Sequence, residues 1–259
     1  MERIHVVGAG ARTGTTLMAE CMVACFEIDA FEKHEAQLTK HRRNVDVYLT
    51  KWPTDSALVG PRLKLDKHFH VICMIRDPRD VIVSFHSKDP DHFWTSLSHW
   101  KKQIRHVQRL AGSDRFTIVK YEDLVSEPDA VQDMIMSRLP FLRKKAAFSQ
   151  FHELALPSPG AIAALGGLRP ISAVRAGNWR NHLQRVAGQI ARHGSISREL
   201  IEFGYEPDDA WLSLLDGVAP DMRSSHRERR RRSMLARRVK ASFDAVFVAG
   251  ARLFGARIV

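Results

Sequence analysis

The pattern of apolar and polar positions predicts three short buried strands, at residues 4–7, 71–75 and 116–120. Compact runs of this kind are typical of strands in a parallel sheet, because helices cover such strands on both faces. After the strands, apolar residues recur at helical spacing, most clearly over residues 93–110 and 131–139. This alternation predicts an α/β fold, a single domain in which helices flank a central parallel sheet.

Residues 156–172 interrupt the alternation, because they hold three prolines and three glycines. Proline and glycine in this density are typical of loops. We therefore predict a mobile segment here, which could act as a lid that excludes water from a reacting group.

The first strand is followed by a glycine-bearing turn and then by a helix start. Gly8 and Gly10 allow tight backbone angles. The helix that opens near Thr15 points its free N–H groups and the positive end of its dipole toward the turn. An anion fits such a place. The candidate anion-binding residues are Arg12, Thr13, Gly14, Thr15 and Thr16.

The spacing of this turn departs from two common nucleotide motifs. A P-loop carries G-x-x-x-x-G-K-[ST], whereas the interval from Gly10 to Gly14 is too short and Thr15 stands in place of the lysine. A dinucleotide fingerprint carries G-x-G-x-x-G, and here the second interval is too long. Asp29 lies about where that fingerprint places a ribose-binding acid, so this alternative stays open. A plain strand–turn–helix with incidental glycines stays open as well.

A second candidate phosphate site follows the strand at residues 71–75. Arg76 stands directly at the carboxyl end of this strand, where open α/β sheets bind ligands. Asp77 and Pro78 predict a sharp exit into a helix, and Ser84 is expected two turns along it, facing Arg76. A guanidinium with a hydroxyl can bind a second phosphate. On this helix we expect Val81, Ile82 and Phe85 to be buried and Arg79 and Asp80 to point away.

Four segments, in this order along the chain, resemble motifs of the sulfotransferase family that uses 3'-phosphoadenosine 5'-phosphosulfate (PAPS). They are A-R-T-G-T-T-L at residues 11–17, R-D-P-R-D-V-I-V-S at 76–84, Y-E-D-L at 121–124 and R-A-G-N-W-R-N-H-L at 175–183. The resemblance implies a P-loop-like sulfotransferase fold and a donor, PAPS, that leaves as 3'-phosphoadenosine 5'-phosphate (PAP).

The resemblance also implies roles for individual residues. Arg12 would touch the transferring sulfuryl group, and the following residues 13–16 would wrap the 5'-phosphate. Arg76 and Ser84 would hold the 3'-phosphate. The remaining donor-binding residues would be Tyr121, near the adenosine, and Arg175 and Gly177, which would approach the 3'-phosphate from the late segment.

The general base is not settled by the resemblance. Animal cytosolic members carry K-T-H-L-P, and the nearest segment here, L-T-K-W-P at residues 49–53, places Lys51 where the histidine would be. The proton acceptor could be His34, Glu35 or a Lys51 whose pKa is depressed by neighbouring Arg12. Alternatively, Lys51 is only a counter-ion that adds to the charge of Arg12, and residues 34–35 form an exposed polar turn.

Positive charge is concentrated near the carboxyl end of the chain. Residues 222–240 contain nine arginines and lysines against Glu228, whereas the whole chain has a formal net charge of +11. The basic composition therefore does not indicate a nucleic-acid surface on the body of the protein. Residues 241–259 are aromatic and amphipathic, yet too charged to span a bilayer comfortably.

These features predict two regions, a sulfotransferase domain at residues 1–221 and a basic amphipathic tail at 222–259. We interpret the tail as an anchor on an anionic membrane surface. A docked helix with a solvated charge run, or a nucleic-acid tail, are the alternatives. Three cysteines in apolar surroundings and a first strand that begins near residue 1 favour a cytoplasmic location, peripheral at the inner membrane face.

The predicted activity is sulfuryl transfer from PAPS to a hydroxyl of a sugar or glycolipid, by in-line displacement and without a metal. Neither nucleic acid nor a metal is expected as a partner. Two alternatives remain open. One is a nucleotide kinase-like P-loop enzyme, and the other is a non-catalytic, membrane-attached nucleotide-binding module.

Overall fold

The computed structural model describes residues 1–33, 35–86, 89–229 and 234–258. The chain folds into two compact units. The sheet unit comprises Met1–Ile75, Gln103–Ala173 and Ser233–Val259, and the second unit comprises Arg76–Lys102 and Val174–Arg232. The boundary expected between residues 221 and 222 stays a prediction.

Five parallel strands form the sheet, in the order β2-β3-β1-β4-β5. Their bounds are Glu2–Gly8 for β1, Ala30–Phe31 for β2, Val47–Lys51 for β3, Phe69–Ile75 for β4 and Phe116–Lys120 for β5. The three predicted strands are confirmed, and β2 and β3 were not predicted. The α/β class with a central parallel sheet flanked by helices is confirmed.

Helix α1, Thr15–Cys25, covers the middle of the sheet and packs on β1, β3 and β4. Its buried residues Met18, Met22 and Cys25 join apolar side chains of β1 and β4 in one core. The cysteines on this helix are buried and unbridged, as expected of core residues. The other helices of the sheet unit are α2 Gly60–Leu65, α5 Tyr121–Ser126, α6 Pro128–Arg138, α7 Phe151–Leu154, α8 Pro159–Leu165 and α12 Leu235–Leu253.

The second unit contains short helices and no strand among its described residues. Its helices are α3 Pro78–Ile82, α9 Leu183–His193, α10 Ser197–Glu202 and α11 His226–Arg229. Helix α4, Leu97–Leu110, is divided at residue 102 between the units, and it confirms the strongest helical periodicity in the sequence. The predicted helix at residues 131–139 corresponds to α6.

The segment at residues 156–172 holds more structure than its composition suggests. Ser158 accepts a hydrogen bond from the backbone of Ala161 and begins α8, and Gly166 ends that helix in a left-handed conformation. A role of this segment as a lid stays a prediction.

Helix α12 packs against α2 in the sheet unit. Asp244 accepts from His41 at 2.6 Å and lies 3.7 Å from Arg62, and Arg252 pairs with Asp66 at 3.3 Å. The structure therefore places this part of the predicted tail on the body of the sheet unit. In the described part of the chain, no helix is both long enough and apolar enough to cross a membrane.

Candidate functional site

The turn after β1 folds closely over its own backbone. Gly10, Arg12 and Gly14 have φ angles of 96°, 72° and 89°, all in the left-handed region. A Cβ atom at Gly8 would lie 2.2 Å from Oγ1 of Thr13 and 2.6 Å from the carbonyl oxygen of Gly10. Thr13 in turn donates to that carbonyl at 3.1 Å. Only glycine fits at position 8, because the turn closes tightly around it; the binding of an anion here stays a prediction.

Helix α1 begins at the end of this cradle. No side chain caps its first turn, and that turn contains no acidic residue. The amino end of the helix therefore combines N–H donors with positive potential, and an anion is the complementary partner. Thr15 is buried and Thr16 is half-buried at this end.

Tyr121, the first residue of α5, lies against the cradle. A Cβ atom at Gly14 would stand 2.6 Å from Cδ2 of the tyrosine ring, and the ring itself is buried. The structure thus brings together Gly14 and Tyr121, which are far apart in the sequence. The tyrosine supports the backbone of the turn.

Lys51 is brought to the same place by β3, which was not predicted. Its strand pairs in register with β1, so that Lys51 stands opposite Val6. The ammonium group, Nζ, donates to Oγ1 of Thr16 at 2.9 Å. Burial lowers the pKa of Lys51, while the nearby carboxylates of Glu35 and Glu20 raise it. The sequence suggested Arg12 as the cause of a lowered pKa, whereas desolvation is the largest cause in the structure.

The two other candidate bases lie in the segment that precedes β3. His34 falls outside the residues that the structure describes. Glu35 is exposed, and the next residue, Ala36, donates its N–H to the carbonyl oxygen of Lys51 at 3.0 Å. A surface pocket of about 580 Å³ opens here, with Glu35, Trp52 and Lys240 among its lining residues. Glu35 is therefore close enough to influence Lys51 electrostatically and lines a space that a ligand could enter.

In the second unit, Asp80 organises the second candidate phosphate site. Its buried carboxylate accepts from the backbone N–H groups of Gly177 at 2.8 Å and Trp179 at 2.9 Å. It also accepts from Nη2 of Arg76 at 3.4 Å, and the same Nη2 donates to the carbonyl oxygen of Arg175. The structure thus joins the predicted residues Arg76, Arg175 and Gly177 through an acid that we did not predict.

The expectation that Arg79 and Asp80 point away from the buried face of the helix is wrong. Arg79 is buried, lies 4.0 Å above the Trp179 ring, and forms ion pairs with Asp77 at 2.7 Å and Glu206 at 2.6 Å. Helix α3 has five residues, all buried, so it has no solvent face on which charged side chains could lie. Phe85, expected to be buried, is 39% exposed.

Ser84 lies beyond the end of α3 and not two turns into a helix. Its hydroxyl donates to the carbonyl oxygen of Val81 at 2.7 Å, and its side chain is half-buried. The single hydroxyl proton is therefore donated within the chain, and Ser84 could donate to a phosphate only after its hydroxyl rotates. Its assignment to the 3'-phosphate stays a prediction.

In the described part of the chain, no three His, Cys, Asp or Glu side chains are grouped so that they could hold a metal ion. The two sites contain the cations Lys51 and Arg76, and the carboxylate of Asp80 is paired with Arg76 and two backbone N–H groups.

Residues 27–140 match the model of a family described as the sulfotransferase family. The match covers less than half of the chain, and it supports a place for the chain in the sulfotransferase family. The matched segment includes Lys51, Arg76 and Tyr121. It does not include the cradle at residues 8–16 or the segment at 175–183. For these two segments the contacts described above are the only structural observations. The match also supports a transferase activity.

Two solved structures are similar to the chain at low identity. One is the sulfotransferase domain from the olefin synthase of Synechococcus PCC 7002, with 18% identity, a TM-score of 0.46 and coverage of 69% of this chain and 87% of that one. The other is the sulfotransferase domain from the curacin biosynthetic pathway, with 15% identity, a TM-score of 0.45 and coverage of 85% and 99%. Similarity at this level supports no statement about the fold or substrate of this chain. Among curated proteins, none matches it significantly.

Proposed function

We propose that the chain transfers a sulfuryl group from PAPS to a hydroxyl of a carbohydrate or glycolipid. The observation that carries this proposal is the cradle at residues 8–16 with the Lys51 ammonium on Thr16. A cradle that a Cβ would fill, an uncapped helix start and a buried cation suit a phosphosulfate group. PAPS supplies an activated sulfuryl group and leaves as PAP.

Within the cradle, backbone N–H groups and the hydroxyls of Thr15 and Thr16 bind the 5' end of the donor. The buried hydroxyl of Thr13, which the sequence also predicted as a ligand, instead donates to the carbonyl oxygen of Gly10 and holds the turn. Arg12 and Lys51 match negative charge on the transferring group and the leaving oxygen. Such charge matching, together with positioning, supplies most of the rate in the related case of phosphoryl transfer. We assign the cationic role to Lys51 because its Nζ already donates to the cradle.

In the second site, Arg76 with Gly177 and Arg175 holds the 3'-phosphate, and Ser84 adds a hydroxyl. Asp80 is a positioning residue, because it fixes the Arg76 guanidinium and the backbone of residues 177–179. Tyr121 fixes the cradle and lies near the adenosine.

Removal of the acceptor proton is assigned to Glu35, which lines the pocket beside Lys51. That pocket combines an indole with carboxylate and ammonium groups, and such side chains pack on and hydrogen-bond to hydroxyl-bearing molecules. This composition supports a sugar-like acceptor. His34 remains the alternative base.

The proposal is tested by sulfate transfer from radiolabelled PAPS to fractionated lipids, glycans and small phenols. We expect label on one hydroxyl-bearing fraction, and activity that is retained in EDTA. Phosphate transfer from ATP that requires Mg²⁺ would instead identify a nucleotide kinase. Tight PAP binding without transfer to any fraction would identify a binding module.

The pH dependence of turnover distinguishes the two roles of Lys51. As a cation, Lys51 is active when protonated, so kcat/KM is expected to fall as pH rises through its lowered pKa, below the usual value of 10.5. In Lys51→Arg the charge persists at all accessible pH values, and the falling limb should move to higher pH. If kcat/KM of the wild type instead rises as pH rises through the pKa of Lys51, Lys51 is the base.

Replacing Asp80 with asparagine should weaken donor binding and leave chemistry intact. The amide keeps the shape but loses the charge that holds Arg76 and two backbone N–H groups. Hydrogen bonds to charged groups contribute about 1.5–3 kcal/mol, so KM for PAPS should rise about tenfold or more. The exposed variant Asp114→Asn is the matched control. A fall in kcat with unchanged KM would show that Asp80 does not act through the donor site.

A further inference from the structure

Helix α12 is apolar on two opposite faces. The face toward the sheet unit uses small residues, since Ala241, Ala245 and Val248 are buried. The single acid of this helix, Asp244, is held on that side by His41 and Arg62. The contact with the sheet unit therefore relies mainly on small residues, to which Phe247 adds one tilted ring contact with His41 at 6.4 Å.

The opposite face carries the large apolar side chains and is open to solvent. Phe243 is 73% exposed and Phe247 is 58% exposed. A helix that only packs on its own domain places its large apolar residues inward, and this helix places them outward. We name this face the outer stripe; it consists of Leu235, Val239, Phe243, Val246, Phe247 and Leu253.

Cations border the outer stripe. Arg238 and Lys240 are both exposed and stand on either side of Val239, which places them at opposite edges of the stripe at 100° per residue. The basic run at residues 223–232 directly precedes the helix in the sequence. An apolar strip with cationic edges is complementary to a surface that is anionic outside and apolar beneath.

We propose that the outer stripe of α12 is a membrane-binding surface, which lies in the interface of an anionic bilayer with Phe243 and Phe247 among the acyl chains. The edge cations contact lipid phosphates. A second copy of the chain fits less well, because a two-fold pairing of stripes would bring the Arg238 and Lys240 edges of both copies together.

This surface adjoins the pocket of the sheet unit. Arg237, on the same helix, donates to Asp55 at 2.6 Å and lies 5.0 Å above the ring of Trp52. Trp52 and Lys240 both line the pocket that contains Glu35. Membrane binding by α12 would therefore place this pocket near lipid headgroups. The binding itself does not depend on the proposed function.

Co-sedimentation of the full chain with vesicles tests the surface. We expect binding to vesicles of phosphatidylcholine mixed with phosphatidylglycerol, weak binding to phosphatidylcholine alone, and a decrease as salt rises. The double variant Phe243→Ser/Phe247→Ser should bind about tenfold more weakly or worse. The matched control Leu154→Ser/Leu156→Ser removes exposed leucines elsewhere in the sheet unit and should bind like the wild type.

A charge variant, Arg238→Glu/Lys240→Glu, leaves the apolar residues in place and should also lose binding to the anionic vesicles. Unchanged binding of both double variants would overturn the proposal. It would be overturned equally if sedimentation equilibrium shows a dimer that the serine variant dissociates while no variant or wild type binds vesicles. In that case the stripe joins two copies.

Discussion

Replacing Lys51 with methionine is expected to lower kcat about 100-fold or more, the usual effect of removing one preorganised donor from a transition state. Methionine keeps the length and the burial of the side chain, so the loss is that of the charge and of the hydrogen bond to Thr16. Burial already disfavours the charged ammonium, as its lowered pKa shows. The fold should therefore tolerate the substitution, and circular dichroism with thermal unfolding checks that it does.

Lys67→Met is the control for this variant, because Lys67 is exposed and also lies in the sheet unit. Its turnover should equal that of the wild type. Steady-state kinetics with a saturating acceptor separate kcat from KM. A Lys51→Met enzyme with nearly normal kcat would remove Lys51 from the chemistry and leave Arg12 as the main cation.

Replacing Gly8 with alanine is expected to weaken donor binding strongly. The added methyl group would lie 2.2 Å from Oγ1 of Thr13 and 2.6 Å from the carbonyl oxygen of Gly10, and one of these atoms belongs to the backbone. The turn must shift, at a cost of about 1–3 kcal/mol. A displaced turn loses several N–H donors together, so affinity for PAP should fall about 100-fold.

Gly112→Ala is the matched control, since nothing lies within 4 Å of a Cβ atom at that position. Isothermal titration with PAP gives the affinities, and thermal unfolding gives the stability of each variant. If Gly8→Ala binds PAP as tightly as the wild type, the cradle is not the donor site.

The sequence revealed strands that are built around compact apolar runs. Residues 4–7 and 71–75 are buried on both faces, and this leaves a clear signal. Strand β3 was missed because Thr50 and Lys51 are polar and yet buried in the sheet unit. Sequence alone could not show that Lys51 has a partner, Thr16, on another element.

Asp80 was misplaced for a related reason. In an amphipathic helix a charged residue lies on the solvent side, and the pattern of residues 78–85 suggested such a helix. The actual helix is a single buried turn, and its charged side chains have partners distant in the sequence as well as near ones. Asp80 pairs with Gly177, and Arg79 pairs with Glu206. Local periodicity contains no information about those partners.

The packing of α12 could have been recognised. Ala241, Ala245 and Val248 recur at helical spacing and form a narrow face, but the larger residues Phe243 and Phe247 dominated the pattern. The buried face agrees with the alternative of a docked helix. The exposed apolar face is the observation from which we propose membrane binding.

The central proposal is that the Arg12 cradle binds the 5' end of the donor nucleotide and that the Arg76 site binds its 3'-phosphate. Titration of wild type and Arg76→Ala with PAP and with adenosine 5'-monophosphate tests it most directly. The account predicts that the wild type prefers PAP about tenfold or more, and that Arg76→Ala loses this preference while its affinity for the monophosphate is unchanged. Equal binding of both nucleotides by the wild type, or a preference that survives in Arg76→Ala, would contradict it.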